Sequence, residues 1–130
     1  MAATNVLSNL FASLQNAEMR NKKECIVIPA SSLASEVLRV LQKKRYIGEF
    51  ELIDDGVGGK LRVQLLGRIN RCGVITPRYP IKSREFTKWE SRYLPAVGVG
   101  MLIVSTSEGV LSHAEAEEKK IGGRLLGYVY

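Results

Sequence analysis

The sequence of 130 residues has little of what metal sites, disulfides and membrane spans require. It contains one histidine, His113, and two cysteines, Cys25 and Cys72, which lie far apart in the chain. These residues are too few and too scattered for a zinc site, which needs about four ligands at close spacing. No run approaches the roughly 18 consecutive apolar residues of a membrane span. The N-terminal stretch lacks a basic leader before an apolar block, so we expect no signal peptide and interpret both cysteines as reduced core residues.

Catalytic motifs are also missing. The stretch GVGGK (56–60) has the wrong spacing for a phosphate loop, and Leu61 stands where a magnesium-binding hydroxyl is needed. A nucleophilic Ser105 or Ser107 would need an activating base, and the only imidazole is His113, which we predict to be an exposed residue of a capped helix. We therefore expect no catalysis, no cofactor and no small-molecule substrate. A small hydrolase is the alternative, and labelling by a serine-reactive probe would support it.

Acidic residues are absent from Gly56 to Arg84. The basic segment, residues 60–92, holds nine bases against Glu85 and Glu90, whereas the rest of the chain carries ten bases and eleven acids. The net charge of +6 is thus concentrated in this segment, which is typical of proteins that bind a phosphate backbone. A solvated basic surface is the alternative interpretation. The bases up to Arg84 are Lys60, Arg62, Arg68, Arg71, Arg78, Lys82 and Arg84.

Hydrophobic periodicity predicts an N-terminal subdomain, residues 1–66, with the order α-β-α-β-β. Its small antiparallel sheet is expected to be covered on one face by two helices. A glycine-rich joint, DDGVGG, suggests that the last two strands form a hairpin. The predicted elements are helices over 4–20 and from a cap at Ser31 or Ser32 to about 45, and strands over 24–28, 49–53 and 60–66.

Residues 67–130 are predicted to form a second, mostly β subdomain with one or two short helices, packed on the first, which gives an α+β fold. Two glycines and two prolines indicate a strand-poor connector over 67–82. Ser112 and Glu115 fit a capping box. We expect one of Gly122 and Gly123 to end that helix with a positive φ. The predicted elements are a helix within 83–94, a strand over 99–105, a helix over 112–120 and a strand over 124–130.

Three consecutive hydroxyl residues, Ser105 to Ser107 with Thr106 between them, end a predicted buried strand. We call them the hydroxyl loop. They either cap nearby backbone in a turn or contact a polar ligand. Short side chains allow close approach to sugar hydroxyls, and Gly109 permits a tight bend. If the ends of the following helix lie together, the hydroxyl loop meets the double glycine and Arg124, which could then clamp a phosphate.

Several stretches carry a resemblance that spans nearly the whole chain. IVSTSEGVLSHAEA (103–116) followed by IGGRLLGYVY (121–130) resembles the family of the eighth protein of the small ribosomal subunit. QNAE (15–18), IPASS (28–32), YIGEFELIDDG (46–56) and GRINRCGVITPRYP (67–80) also match it. The last two stretches are similar to the archaeal and eukaryotic branch of the family.

The resemblance implies an α/β N-terminal subdomain and a mostly β C-terminal one. It implies a cytoplasmic ribosomal protein that binds an irregular helix in the central domain of small-subunit rRNA, early in assembly, beside neighbouring ribosomal proteins. The bacterial branch also binds its own message, so a translational regulator that binds a similar mRNA site is the alternative function.

The resemblance also implies the contact residues. The hydroxyl loop enters the RNA groove, and the segment before the second helix approaches the sugar-phosphate backbone, where free N–H groups at a helix start attract phosphate. Two departures leave local contacts open: Glu108 stands where many relatives carry a small or basic residue, and GVGG (56–59) replaces another pattern. The expected RNA-binding residues are Ser105, Thr106, Ser107, Gly109, Gly122, Gly123, Arg124, Pro29, Ala30, Ser31, Ser32, Arg78, Tyr79 and Lys82.

Overall fold

The computed structural model describes residues 2–27, 31–54, 56, 59–75, 80–82, 84–96 and 99–130, with side chains from residue 6 onward. The chain divides into two compact units, Met1–Cys72 and Gly73–Tyr130. The described residues form both helices and strands, and the strand pairs whose register is given are antiparallel. The predicted α+β class is therefore confirmed.

The first unit has the predicted order of elements. Strand β3 lies in the middle of a three-stranded sheet and pairs antiparallel with β1 on one side and β2 on the other. The elements are α1 (Ala2–Met19), β1 (Glu24–Val27), α2 (Ser32–Lys43), β2 (Ile47–Ile53) and β3 (Lys60–Leu65).

Alternation along β1 and β3 explains why the helices cover only one face of this sheet. Cys25 and Val27 are buried and pair with the buried Val63 and Leu61, whereas the residues between them are exposed. The helices α1 and α2 contact the sheet and each other, so their apolar faces close the core. The largest fully buried side chains of this unit are Phe11, Leu7, Leu10, Leu14, Leu38, Leu41, Ile47 and Leu61.

Helix α2 begins at a side-chain cap. The hydroxyl of Ser31 accepts a hydrogen bond from the backbone N–H of Ala34 at 3.1 Å, so Ser31 is the cap and Ser32 is the first helical residue. Such a cap contributes about 1 kcal/mol by satisfying a helix donor that otherwise lacks a partner. The cap fixes the direction in which the first turn of α2 points its remaining N–H groups.

The second unit is built around its C-terminal strand. Strand β8 pairs antiparallel with β6, and the sheet order is β4-β8-β6-β7, with β5 also paired to β8. A buried cluster that includes Phe86, Trp89, Leu102 and Leu125 forms its core. The elements are β4 (Cys72–Val74), β5 (Pro80–Ile81), α3 (Phe86–Tyr93), β6 (Met101–Thr106), β7 (Gly109–Ser112), α4 (His113–Glu118) and β8 (Gly123–Val129).

Four elements of this unit differ from the prediction: the strands β4, β5 and β7 are additional, and helix α4 is shorter than expected. The connector contains the short strands β4 and β5. Their sequences carry no strand pattern, and pairing with β8 holds these residues in an extended conformation. Helix α4 has six residues instead of the nine expected, since the backbone turns at Lys119 and Lys120 takes a φ of 58°. The capping box is confirmed, because the Ser112 hydroxyl accepts from the Glu115 N–H at 3.3 Å.

Candidate nucleic-acid interface

The hydroxyl loop lies at the tip of the β6–β7 hairpin. Ser105 pairs with Val110 and Thr106 with Gly109, so Ser107 and Glu108 form the two-residue connection. Gly109 has a φ of 103°, a left-handed conformation that costs glycine little. The predicted tight bend is therefore present, and it exposes Ser107 and Glu108 to solvent.

The three hydroxyls do not have the same role. Thr106 donates a hydrogen bond to the Gly109 carbonyl at 2.7 Å and accepts one from the Glu108 N–H at 3.1 Å. Thr106 therefore stabilises the turn, which is the role expected of all three hydroxyls if the hydroxyl loop only caps backbone groups. The hydroxyls of Ser105 and Ser107 form no hydrogen bond with any other described residue. Those two side chains are the ones available for a ligand.

Arg124 lies next to the hydroxyl loop. On β8 it pairs with Ser105 of β6 on one side and with Pro80 of β5 on the other. The arrangement expected from the sequence, with the loop, the double glycine and an arginine in one place, is thus what the sheet register produces. Arg124 and Gly122 are exposed, whereas Ser105 and Gly123 are half-buried.

Gly122 and Gly123 are not helix-ending residues, and the prediction of a positive φ at one of them is wrong. Helix α4 ends earlier, and Lys120 takes the left-handed conformation instead. Both glycines are required by close backbone approach. A β-carbon on Gly122 would come within 3.0 Å of the Ile81 carbonyl oxygen, and one on Gly123 would do the same at Ser105. The strands beside β8 leave no room for a side chain at either position.

Glu108 is held within the tip by a basic neighbour. Its carboxylate lies 3.4 Å from the Lys119 ammonium, and both side chains are about half exposed. The pair contributes little stability because solvent screens it. It nevertheless offsets a negative charge that would otherwise repel a polyanion at the tip.

His113 is buried, so the prediction of an exposed histidine is wrong. Its side chain packs at the start of α4 with 8% of its surface accessible. The Nδ1 atom accepts a hydrogen bond from the Leu102 N–H at 2.9 Å, and Nε2 lies 3.2 Å from a Glu90 carboxylate oxygen. Because both ring nitrogens are engaged, the imidazole has no nitrogen left to activate Ser105 or Ser107.

The remaining expected contact residues are distributed over both units. Ser31 and Ser32 lie at the N-terminus of α2, whose first turn contains no acidic residue. Lys82 is exposed, and its backbone N–H donates to the Glu85 carboxylate at 2.9 Å. The other expected contact residues, Pro29, Ala30, Arg78 and Tyr79, lie outside the described residues.

The bases of the basic segment have different surroundings. Arg62 forms an ion pair with Glu51 across the β2–β3 pair, so its charge is already balanced. The Arg92 guanidinium lies over the Trp89 ring at 5.2 Å, a cation–π arrangement. Arg68 and Arg71 are exposed and form no ion pair with any other described residue. Exposed, unneutralised arginines are the ones most suited to phosphate contacts.

Both cysteines are free and buried, as predicted. Burial raises the pKa of the Cys72 thiol from 9.0 to about 12, and the nearby charges of Glu18 and Cys25 act in the same direction. Burial also raises the pKa of Cys25, partly opposed by Lys22. In the described part of the chain, no group of three or more His, Cys, Asp and Glu residues is arranged to hold a metal ion.

None of the described helices is long and apolar enough to cross a membrane.

Sequence reasoning missed the partners that shape this site. Ile81 of β5 backs Gly122, yet a two-residue strand has no signal of its own in the sequence. The separate role of Thr106 was also missed, although a Thr followed three residues later by glycine in a turn is a pattern in which the hydroxyl can cap backbone.

An exposed hydroxyl tip beside an arginine, on a chain with a concentrated basic segment, is typical of RNA-binding proteins. The family model described as ribosomal protein S8 matches residues 5–130. The chain is 56% identical to the small ribosomal subunit protein uS8 of Nitrosopumilus maritimus and 57% identical to that of Desulfurococcus amylolyticus. It is 53% identical to the uS8 of Cenarchaeum symbiosum, and each alignment covers both chains completely. The chain therefore belongs to the ribosomal protein S8 family, and these relatives are archaeal.

Proposed function

We propose that this chain is a structural constituent of the small ribosomal subunit, which binds rRNA directly and stabilises an irregular helix of its central domain during assembly. Its partners are that rRNA and neighbouring ribosomal proteins in the cytoplasm. It needs no cofactor and catalyses no reaction. The names of full-length relatives support the assignment to the small subunit.

The observation that carries the rRNA contact is the pairing of Ser105 with Arg124. It places Ser105 opposite Arg124 on the neighbouring strand, two residues from the exposed Ser107 at the hairpin tip, and the hydroxyls of Ser105 and Ser107 form no hydrogen bond with other described residues. RNA helices hide base edges in a deep major groove, so a protein recognises shape, 2′-hydroxyls and disrupted pairs instead. Ser105 and Ser107 are short enough for such contacts, and Arg124 can bind the adjacent phosphate.

A second contact is proposed at the N-terminus of α2. The Ser31 hydroxyl is bonded to the Ala34 N–H of the helix itself, so the available groups are the N–H groups of the first turn before Ala34 and the exposed Ser32 side chain. The positive end of the helix dipole favours a phosphate there, and no acid in the first turn opposes it. Pro29 and Ala30, which precede Ser31 in the sequence, and Arg78, Tyr79 and Lys82 of the basic segment are proposed to add further contacts.

Nuclease footprinting of the purified protein on naked small-subunit rRNA tests the proposal. We expect one compact protected site in the central domain. Affinity should fall linearly with salt on logarithmic axes, at about −0.7 to −0.9 per neutralised phosphate. Diffuse protection along the whole rRNA would contradict specific binding, and a flat salt dependence would mean that the basic segment does not contact the RNA backbone.

A further inference from the structure

The segment between β3 and β4 has no regular secondary structure, but side chains of helix α1 hold its backbone by hydrogen bonds. We call residues 66–71 the arginine loop. Gln15 contacts the backbone at its C-terminal end twice: its Oε1 accepts from the Cys72 N–H at 2.8 Å, and its Nε2 donates to the Asn70 carbonyl at 3.4 Å. A carboxylate oxygen of Glu18 accepts from the Ile69 N–H at 3.0 Å. Three hydrogen bonds from two side chains thus hold the backbone of three residues, Ile69, Asn70 and Cys72, on either side of Arg71.

Burial divides this stretch into buried residues, which we call the anchors, and exposed arginines. Ile69 and Cys72 have 6% and 8% of their surface exposed, and the Cys72 thiol lies 3.5 Å from the Phe11 carbonyl of α1. Arg68 and Arg71, each adjacent to an anchor, are exposed. The anchors therefore set the direction in which both arginines leave the surface.

Charge distinguishes the arginines of this loop from two other basic residues, Arg62 and Lys119. Arg62 is neutralised by Glu51, and Lys119 lies beside Glu108. Within the described residues no carboxylate forms an ion pair with Arg68 or Arg71. Glu18 is the acidic residue that contacts the loop. Its carboxylate oxygen accepts a hydrogen bond from the Ile69 backbone N–H and forms no ion pair with either arginine.

We propose that the arginine loop is a further RNA-binding element, in which Arg68 and Arg71 bind phosphates and Gln15 and Glu18 are positioning residues. The inference rests on the proposed function. A loop fixed before binding loses less conformational entropy when it meets the RNA. A guanidinium can bind a phosphate through two parallel hydrogen bonds, so its placement matters as well as its charge.

The first test compares the two arginines of the loop, which form no ion pair with other described residues, with Arg62, which is paired with Glu51. The double variant Arg68→Gln with Arg71→Gln and the control Arg62→Gln are titrated with transcribed small-subunit rRNA at several salt concentrations. We expect the double variant to lose roughly tenfold or more in affinity and to flatten the salt slope by about 1.4 to 1.8, for two lost phosphate contacts. Arg62→Gln should change the slope little. Equal slopes for the double variant and wild type would overturn the proposal.

The second test uses the sign of a charge change. Glu18→Ala makes the protein more positive, so net charge alone predicts tighter RNA binding. The positioning role predicts weaker binding, by roughly threefold or more, together with faster amide exchange at Ile69. Glu18→Gln keeps an acceptor oxygen and should restore both, whereas the neutral Gln15→Ala should behave like Glu18→Ala. Tighter binding by Glu18→Ala would overturn the positioning role.

The wild-type footprint separates failure of this inference from failure of the proposed function. If wild type protects no rRNA site, the proposed function fails and the inference fails with it. If wild type protects a site and Ser105→Ala with Ser107→Ala weakens it, while Arg68→Gln with Arg71→Gln binds like wild type, only the arginine loop is wrong. Melting curves of every variant, recorded without RNA, confirm that the compared proteins are folded.

Discussion

Gly123 on β8 lies against the carbonyl oxygen of Ser105 on β6, so closely that a β-carbon at position 123 would come within 3.0 Å of that oxygen. The same strand pair places Ser105 opposite Arg124. The absence of a side chain at position 123 therefore lets the hydroxyl loop and Arg124 lie side by side on the neighbouring strands β6 and β8. Stability and the candidate RNA site depend on the same glycine.

Gly123→Ala should destabilise the protein, and so should Gly122→Ala, whose β-carbon would meet the Ile81 carbonyl. Backbone atoms on neighbouring strands cannot move aside as a side chain can. We expect each substitution to lower the free energy of unfolding by about 1–3 kcal/mol, as overpacking does. Urea unfolding of the purified variants measures this.

Gly48→Ala is the matched control for this experiment. Gly48 also lies in a strand, but the atoms that its β-carbon would meet belong to the flexible, exposed Gln64 side chain. That side chain can rotate away at the cost of its hydrogen bond to the Glu49 N–H. If Gly123→Ala costs no more than Gly48→Ala, the close approach of β6 and β8 is not what requires glycine.

The hydroxyl loop should separate binding from stability. Replacing Ser105 and Ser107 with Ala removes two hydroxyls that form no hydrogen bond with other described residues, so the melting temperature should change little. Each lost contact to RNA costs about 1 kcal/mol, and the double variant should bind rRNA roughly tenfold more weakly or worse. Filter binding and thermal melting measure the two quantities.

Thr106→Val is the contrasting variant. It removes the hydroxyl that bonds the Gly109 carbonyl and the Glu108 N–H, so both stability and affinity should fall. Wild-type affinity in the Ser105 and Ser107 double variant would mean that the loop is only a turn.

Local patterns were enough to predict most of the fold. The apolar face and serine cap of α2, the alternation in β3 and the capping box at Ser112 each arise within a few residues, and each is present. The features that were missed arise over longer distances. His113 looks like a surface residue because its partner, the Leu102 N–H, is 11 residues away on another element. Likewise, the need for glycine at 122 and 123 comes from β5 and β6, which no local pattern around the glycines encodes.

His113 should be a structural residue, because replacing it leaves the buried Leu102 N–H without a hydrogen-bond acceptor. In His113→Leu the buried Leu102 N–H loses its acceptor, which costs about 1–3 kcal/mol. We expect a lower midpoint of urea unfolding and faster hydrogen exchange at the Leu102 amide. In the wild-type protein, nitrogen NMR should show Nδ1 without a proton, because Nδ1 accepts a hydrogen bond from the Leu102 N–H. A proton on Nδ1 would contradict the geometry at Leu102.

Cys72 should make stability depend on alkaline pH. Burial raises the pKa of its thiol from 9.0 to about 12, so the folded protein keeps a proton that the unfolded chain releases. This contribution is complete below pH 9 and is lost as the pH rises toward 12, with a slope of at most about 1.4 kcal/mol per pH unit. Urea unfolding under reducing conditions at pH 8 and pH 10.5 should show a smaller drop for Cys72→Ala than for wild type. Wild type and variant share every other titratable group, so the difference between their two drops isolates the Cys72 thiol. Equal drops would mean that the fold does not hold this thiol protonated.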